Sequence, residues 1–529
     1  MPNEDVVMYD EDVSWFLYDQ YDYVSASFEA NTVDSTVFDI YYFCIAEILF
    51  GDTGRKIIQL YMLCLLRNGI CCLGFLPDEV ILLSSSLLGV IAVFLWHSNL
   101  VIYSVSSVLI GYFWMRVCIW LCPQYLALLT SSYAMEQFTI SSFSPSKLVV
   151  NKWFQFILLT AEEFNKLSGT LMIIAMKQIS LSFAFGVSKW TAACHEPLAF
   201  FSYMTDVGTV VCGPWLSFER HCEMMKKKNC RVAFHFFLFS IANNLSLYPI
   251  IPMDFIRWAV VSGGYGFLFL IYSSCLSWWL FPNRLRTINR SGRTVKTANS
   301  IPSIDGWFFL HFRWIIAFRD AQSFRTSHYF ICFVSQTCAL LAGFEWHHET
   351  NPLHLVVEPL QCEWPRSLVN LVVSWNRPFH SFLKTHVFQR IKLHGHFVAV
   401  FGTFCISALL HGYNFQLSAV LLSLGFYSYS EYILREKLAR LFQACIRARS
   451  CYCNCTHKRK WFHPLTMLVN LIFTLLGLFH LTYLGMVYDS GSAEEQGYNA
   501  LHTISMWREM AFISHWIALA TFIIAKLLP

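Results

Sequence analysis

The sequence predicts an all-α, polytopic helical membrane protein with about 10–11 transmembrane helices. Three observations predict it. Hydrophobic residues fill 56% of the 529 positions and charged residues only 14%, against roughly 25% charged in soluble domains. Apolar runs of about 20 residues, the length that crosses a bilayer as a helix, recur along the chain. Basic residues gather in a few of the loops between them.

The elements follow in chain order. Residues 1–39 hold ten acids and no Lys or Arg, so they lack the basic start of a cleavable signal peptide. Candidate spans are 56–75, 79–97, 99–122, 168–186, 197–216, 232–251, 255–281, 326–343, 397–412, 413–432, 463–488 and 507–528. Several are short or polar. Residues 37–50, 124–133 and 152–160 are apolar and are assigned to the membrane interface. No internal repeat or low-complexity tract stands out. Many of the 19 cysteines sit in apolar runs, as in Ile70–Leu73 and Phe404–Ile406, where Cys acts as a small hydrophobe. A net charge of +4, scattered along the chain, excludes nucleic acid as a partner.

The loops have a sign. Arg284, Arg286, Arg290, Arg293 and Lys296 stand in 283–296 with no acid. Residues 377–396 add Arg377, Lys384, Arg390 and Lys392, again with no acid. Residues 435–460 carry Arg435, Lys437, Arg440, Arg447, Arg449, Lys458, Arg459 and Lys460 against the lone acid Glu436. The positive-inside rule makes all three cytosolic. The acidic loop 489–505 and the acidic N-terminal segment fall on the lumenal side. Residues 344–366 are mixed in charge. Because 367–376 is too short to cross as a helix, 344–366 is placed in the cytosol and 326–343 is read as re-entrant.

His411 is the side chain out of place in the run 397–429, where almost every other would be at home in lipid. From a cytosolic residue 396, about fifteen helical residues climb roughly 22 Å, which places the imidazole deep in the bilayer or near its lumenal side. An ionisable group there faces a cavity or a partner, and a neutral imidazole can accept a proton from a hydroxyl. The alternative is a histidine bonded to a neighbouring helix. His235, His480 and His515 also lie in apolar runs, so burial alone does not rank them. Asn376, in Ser374-Trp375-Asn376-Arg377-Pro378, can orient a substrate or donate to a developing oxyanion. It also fits a helix-end turn.

Together, a Trp-Asn pair and a histidine some 35 residues later in an apolar helix resemble the membrane-bound O-acyltransferase (MBOAT) family. Further blocks resemble its Wnt-acylating branch: Ile174–Leu181, Cys212–Phe218, Trp364–Val369, Ser374–Asn376, Ser407–Gly412, Ala419–Leu424, Phe479–Gly485, Glu494–Tyr498 and Ser514–Trp516. They cover roughly residues 170–520. Arg377 departs from the apolar residue expected after the asparagine.

The resemblance implies a buried catalytic tunnel in an MBOAT-like core at 166–529. Before it come N-terminal transmembrane helices at 51–165 and an acidic segment with an interfacial helix at 1–50. It implies a multi-pass enzyme of the endoplasmic reticulum membrane that moves palmitoleate from palmitoleoyl-CoA, a co-substrate rather than a cofactor, to a serine of Wnt proteins. The remaining partners are membrane lipids. His411 carries over as the catalytic base and Asn376 as the second catalytic residue. Ser374, Trp375 and His480 are the expected substrate-binding residues, with His480 open to a plain core role. Phe401, Phe404 and Tyr413 are candidate tunnel aromatics, though more often such residues are packing.

No metal is expected. In Cys451-Tyr452-Cys453-Asn454-Cys455-Thr456-His457 the alternating cysteines are too close for a structural zinc site. They suit juxtamembrane acylation or plain thiols. His347-His348-Glu349 lacks the spacing for two ligands on one helical face. The sequons at Asn289 and Asn454 lie in loops read as cytosolic, so neither is expected to carry glycan. Two other functions remain in view: a lysophospholipid acyltransferase of the same fold, and a transporter or receptor with His411 in a relay, which calls for a paired acid in the membrane.

Overall fold

The computed structural model describes residues 45–72, 76–126, 161–184, 196–226, 253–280, 306–344, 356–412, 414–451, 455–488 and 500–529. Among them the regular structure is helical, no strand forms, and one isolated bridge pairs Ala444 with Arg459. The N-terminal acidic segment, the run 232–251, His235, His347-His348-Glu349, Tyr413, Cys453 and both sequon asparagines lie outside the described residues.

The N-terminal helices are α1 (Asp52–Cys72), α2 (Asp78–His97), α3 (Val101–Leu126) and α4 (Ala161–Ala184). Each corresponds to an expected span. Short helices α5 (Pro197–Met204) and α6 (Phe218–Lys226) follow, then α7 (Met253–Ile271). Helix α8 (Gly306–Leu341) packs along α7, α14 and α1 and forms the centre of the bundle. Short helices α9 (Pro359–Glu363), α10 (Leu368–Trp375) and α11 (Arg377–Leu383) precede α12 (His396–His411) and α13 (Phe415–Leu441). The chain closes with α14 (Pro464–Gly485), α15 (Ala500–Glu509) and α16 (Ile513–Leu527). Helix α13 packs against α12 on one side and α16 on another.

By length and apolarity, three helices among the described residues suffice to cross a membrane, or four if the bent pair α15–α16 counts as one span. Four expectations need correction. The run 326–343 is no short re-entrant piece but the end of the 36-residue α8, roughly 54 Å long. Its upstream charges hide it from a hydropathy window, yet they are paired inside the protein. Arg319 meets Asp320 at 2.6 Å, and Arg325 grips Glu363 through two bonds of 2.8 Å.

The run 197–216 is not one span. Helix α5 ends at Met204, and Asp206 draws the following backbone into a polar hub. Its carboxylate accepts from Arg67 Nη2 at 2.9 Å, Ser85 Oγ at 3.1 Å and the Gly208 amide at 3.0 Å. The run 507–528 is split, with α15 and α16 meeting at 75°. Ala511 and Phe512 take left-handed backbone there, at φ 52° and 51°. The Phe512 amide donates back to Trp507 O at 2.9 Å, which closes the end of α15 in a Schellman-like turn.

Arg435, counted above among the basic loop residues, is fully buried near the end of α13. It pairs with Glu431 at 2.6 Å and donates to Ile446 O at 2.8 Å, Asn470 Oδ1 at 3.0 Å and Arg366 O. Glu431 is thus an acid within α13, held by Arg435 and by the Leu368 amide. The arginine spends its remaining donors on framework carbonyls and an amide.

Candidate active site

Asn376 is the joint between two short helices. It follows the last residue of α10 and, with extended backbone (φ −151°, ψ 90°), caps the start of α11. Its Oδ1 accepts the Phe379 amide at 3.1 Å and its carbonyl the His380 amide at 2.8 Å. Asn serves here because a side-chain oxygen satisfies a first-turn N–H that has no partner within the helix. Pro378, in the first turn, has no N–H to lose.

The joint is clamped from outside. Residues 356–358 run beside it, the Glu358 amide donating to Ser374 O at 3.0 Å and the Arg377 amide to Val356 O at 2.8 Å. Arg377, unexpected in the sequence, pairs through Nη1 with Glu358 at 2.5 Å. Ser374, in the last turn of α10, is buried, and its carbonyl is held by this clamp. Trp375 lies flat on the His328 ring, centroids 4.3 Å apart and planes 7° apart. His328 Nε2 also lies 3.2 Å from Trp375 O. The sequence reading missed His328. Its only signal is an imidazole in the apolar half of α8.

His411 is the last residue of α12, half-buried, and Gly412 ends the helix at φ +107°. A side chain at 412 is doubly excluded: only glycine readily takes that backbone, and a Cβ would lie 2.9 Å from Phe164 Cε1 of α4. Leu410, fully buried among Ile173, Met176, Phe382 and Leu383, anchors the same helix end. The His411 ring then rests against Phe379, centroids 5.3 Å apart at 59°. Phe379 is thus shared. Its backbone is fixed by Asn376 and its ring flanks His411, so the two signature residues are joined through one side chain.

His480 has a different set of partners. It is buried in α14, with Nδ1 2.6 Å from Ser514 Oγ of α16 and its ring 4.7 Å from that of Tyr427 in α13. His515 beside it meets Tyr483 OH at 3.1 Å and Ser423 Oγ at 3.2 Å. This is the setting of a hydrogen-bonded core histidine. Phe404 packs over Gly425, where a Cβ would lie 2.8 Å from its ring, and Phe401 is exposed. Both aromatics have packing or surface positions, and no tunnel is assigned to them.

An imidazole at a helix end, steered by a capped helix inside a membrane bundle, is an arrangement suited to proton transfer from a hydroxyl. The chain belongs to the membrane-bound O-acyltransferase family, whose model matches residues 94–455 and so includes both Asn376 and His411. It is an integral membrane acyltransferase. Its relatives include the protein-serine O-palmitoleoyltransferase porcupine of Homo sapiens, 34% identical over 378 residues, 69% of this chain and 74% of the human protein. The protein of the same name from Anopheles gambiae is 28% identical over 406 residues, 73% of this chain and 74% of the mosquito one. That of Drosophila melanogaster is 29% identical over 388 residues, 68% of this chain and 64% of the fly one.

Proposed function

We propose that this chain transfers a palmitoleoyl group from palmitoleoyl-CoA to a serine hydroxyl of a Wnt protein, in the endoplasmic reticulum membrane, with His411 as general base. The observation that carries the reading is the link from Asn376 through Phe379 to His411, in a chain related to proteins named for this transfer.

A serine hydroxyl is a weak nucleophile at neutral pH. His411 accepts its proton as the oxygen attacks the thioester carbonyl. The tetrahedral oxyanion collapses, the acyl oxygen-ester bond remains, and CoA leaves as a thiolate that is then protonated. No enzyme nucleophile takes part. Asn376, with Oδ1 engaged as a cap, keeps its amide N–H groups as the donors that hold the thioester or CoA arm. Ser374 and Trp375 wall that side of the site. Acyl-CoA arrives from the cytosol and the secreted acceptor from the lumen, so a passage open to both faces brings them to His411.

The test uses microsomes containing the full chain, labelled palmitoleoyl-CoA and a folded Wnt serine hairpin. His411→Ala is expected to lower acyl-serine formation by about 10²–10⁴-fold, the usual contribution of a general base. His480→Ala keeps most of the rate. Full activity in His411→Ala, with membrane insertion intact, removes the base assignment. Transfer to lysophospholipid alone replaces the acceptor.

A further inference from the structure

The run from Cys451 to His457 looks unsuited to a metal when read by itself. The structure changes the set of ligands. It brings in Cys445 from beyond the run, and it places Cys445, Cys451, Cys455 and His457 so that one ligand atom from each lies within 4.8 Å of the others. We propose that these four residues bind a zinc ion, which locks residues 442–451 against 455–463 in a knuckle supporting α10.

The geometry is that of a tetrahedron. Zinc–sulfur bonds of about 2.3 Å and zinc–nitrogen bonds of about 2.05 Å imply edges of about 3.8 Å between sulfurs and about 3.6 Å from sulfur to nitrogen. Cys445 Sγ lies 3.4 Å from Cys455 Sγ and 3.8 Å from His457 Nδ1, and Cys451 Sγ lies 3.6 Å from that same nitrogen. The spacing also fits: Cys451 and Cys455 have three residues between them, within the two to four usual for structural zinc. All three cysteines are free thiols. A set of three thiolates and an imidazole favours zinc over harder cations. An acylated or idle thiol has no need of His457, yet the imidazole approaches two sulfurs at once.

The surrounding backbone is built to hold this shape. The Cys445 amide donates to Arg459 O and the Arg459 amide to Gln443 O, each at 3.0 Å, tying the two ends of the knuckle together. Asn470 Nδ2 and Arg366 Nη2 both donate to Cys445 O, at 3.2 and 2.8 Å. Three thiolates and a neutral imidazole around Zn²⁺ leave a centre of net charge −1. Lys460, with Nζ 3.9 Å from Cys455 Sγ, balances that charge. From the knuckle, the Ala448 carbonyl accepts the hydroxyl of Ser367, the N-cap of α10, at 2.9 Å. The proposed metal therefore braces the helix that ends at Asn376.

The test is elemental analysis of the full chain, purified in detergent with a non-histidine tag and no chelator. It reads metal content, not transfer, so it stands or falls apart from the acyl reading. About one zinc per chain is expected. Cys455→Ser and His457→Ala should drop to background, while Cys455→His, which restores a ligand, and Cys71→Ser should retain it. Should the serine or alanine variants fail to insert, the wild type decides alone. A mercurial thiol reagent should release its zinc in step with modification of the three cysteines, and cobalt exchanged into the site should show a thiolate charge-transfer band. Wild-type protein without zinc, or zinc unaffected in variants that insert normally, overturns the proposal. So do hydroxylamine-labile acyl groups on Cys445, Cys451 or Cys455.

Discussion

The ring of Phe379 lies 5.3 Å from the imidazole of His411, and the backbone amide of that phenylalanine is capped by Asn376 at 3.1 Å. Asn376, at the joint of α10 and α11, and His411, at the end of α12, are therefore linked through Phe379. Loss of the cap releases the side chain that flanks His411.

The first prediction separates capping from substrate contact at Asn376. Asn376→Ala should destabilise the start of α11 by about 1 kcal/mol and impair transfer. Asn376→Asp keeps the cap, adds a charge favoured at a helix N-terminus, and loses only the amide donors. Thermal unfolding in detergent and microsomal transfer are measured together. Asp should match the wild type in stability while its transfer reports the donors. Equal destabilisation by Asp and Ala would remove the capping role.

At Gly412 the expectation is steric. Gly412→Ala must place a Cβ 2.9 Å from Phe164 Cε1 on a backbone at φ +107°, a combined cost of about 1–3 kcal/mol. Both the unfolding midpoint and the transfer rate should fall. Adding Phe164→Leu relieves the contact but not the dihedral, so rescue should be partial. A single variant indistinguishable from wild type would show that α12 ends differently.

His386 supplies a pH dependence. It follows α11, stacked on Phe183 at 5.2 Å and edge-on to Trp215 at 5.8 Å. Burial, and then the nearby charge of Arg390, push its pKa down to about 4. The unfolded chain, with an ordinary imidazole near 6.5, takes up the proton first. Stability from this packing is thus fully present above about pH 6.5 and is lost as pH falls towards about 4. Denaturation midpoints across that window should decline more steeply in wild type than in His386→Phe. Parallel curves would contradict the assignment.

Much of the site was legible because its residues break local rules. His411 is ionisable inside an apolar run, Gly412 punctuates the helix, and Asn376 precedes an Arg-Pro step. The rest depends on partners far along the chain. Phe379 reads as an ordinary apolar residue, and its place between Asn376 and His411 comes from the docking of α11 on α12. His328 lies beneath Trp375 because α8 is a single long helix, which charges at Arg319, Asp320 and Arg325 disguise. Arg435 carries the mark of a surface loop and is fully buried, since Glu431 and the carbonyls around it replace water. The bend at Ala511-Phe512 has neither glycine nor proline to announce it. Cys445 stands outside the cysteine run, and only the pairing of 443–445 with 459 brings it to His457.

The bond from Ser367 to Ala448 spans 81 residues. During synthesis at about 5–20 residues per second, roughly 4 to 16 seconds separate the two ends. The hinge carrying Asn376 is therefore synthesised several seconds before its brace. Nascent chains pass through an interval in which the front of the site exists and its support is still untranslated. A premature stop between residues 412 and 447 leaves the site without this brace, even though Asn376 and His411 are both already made.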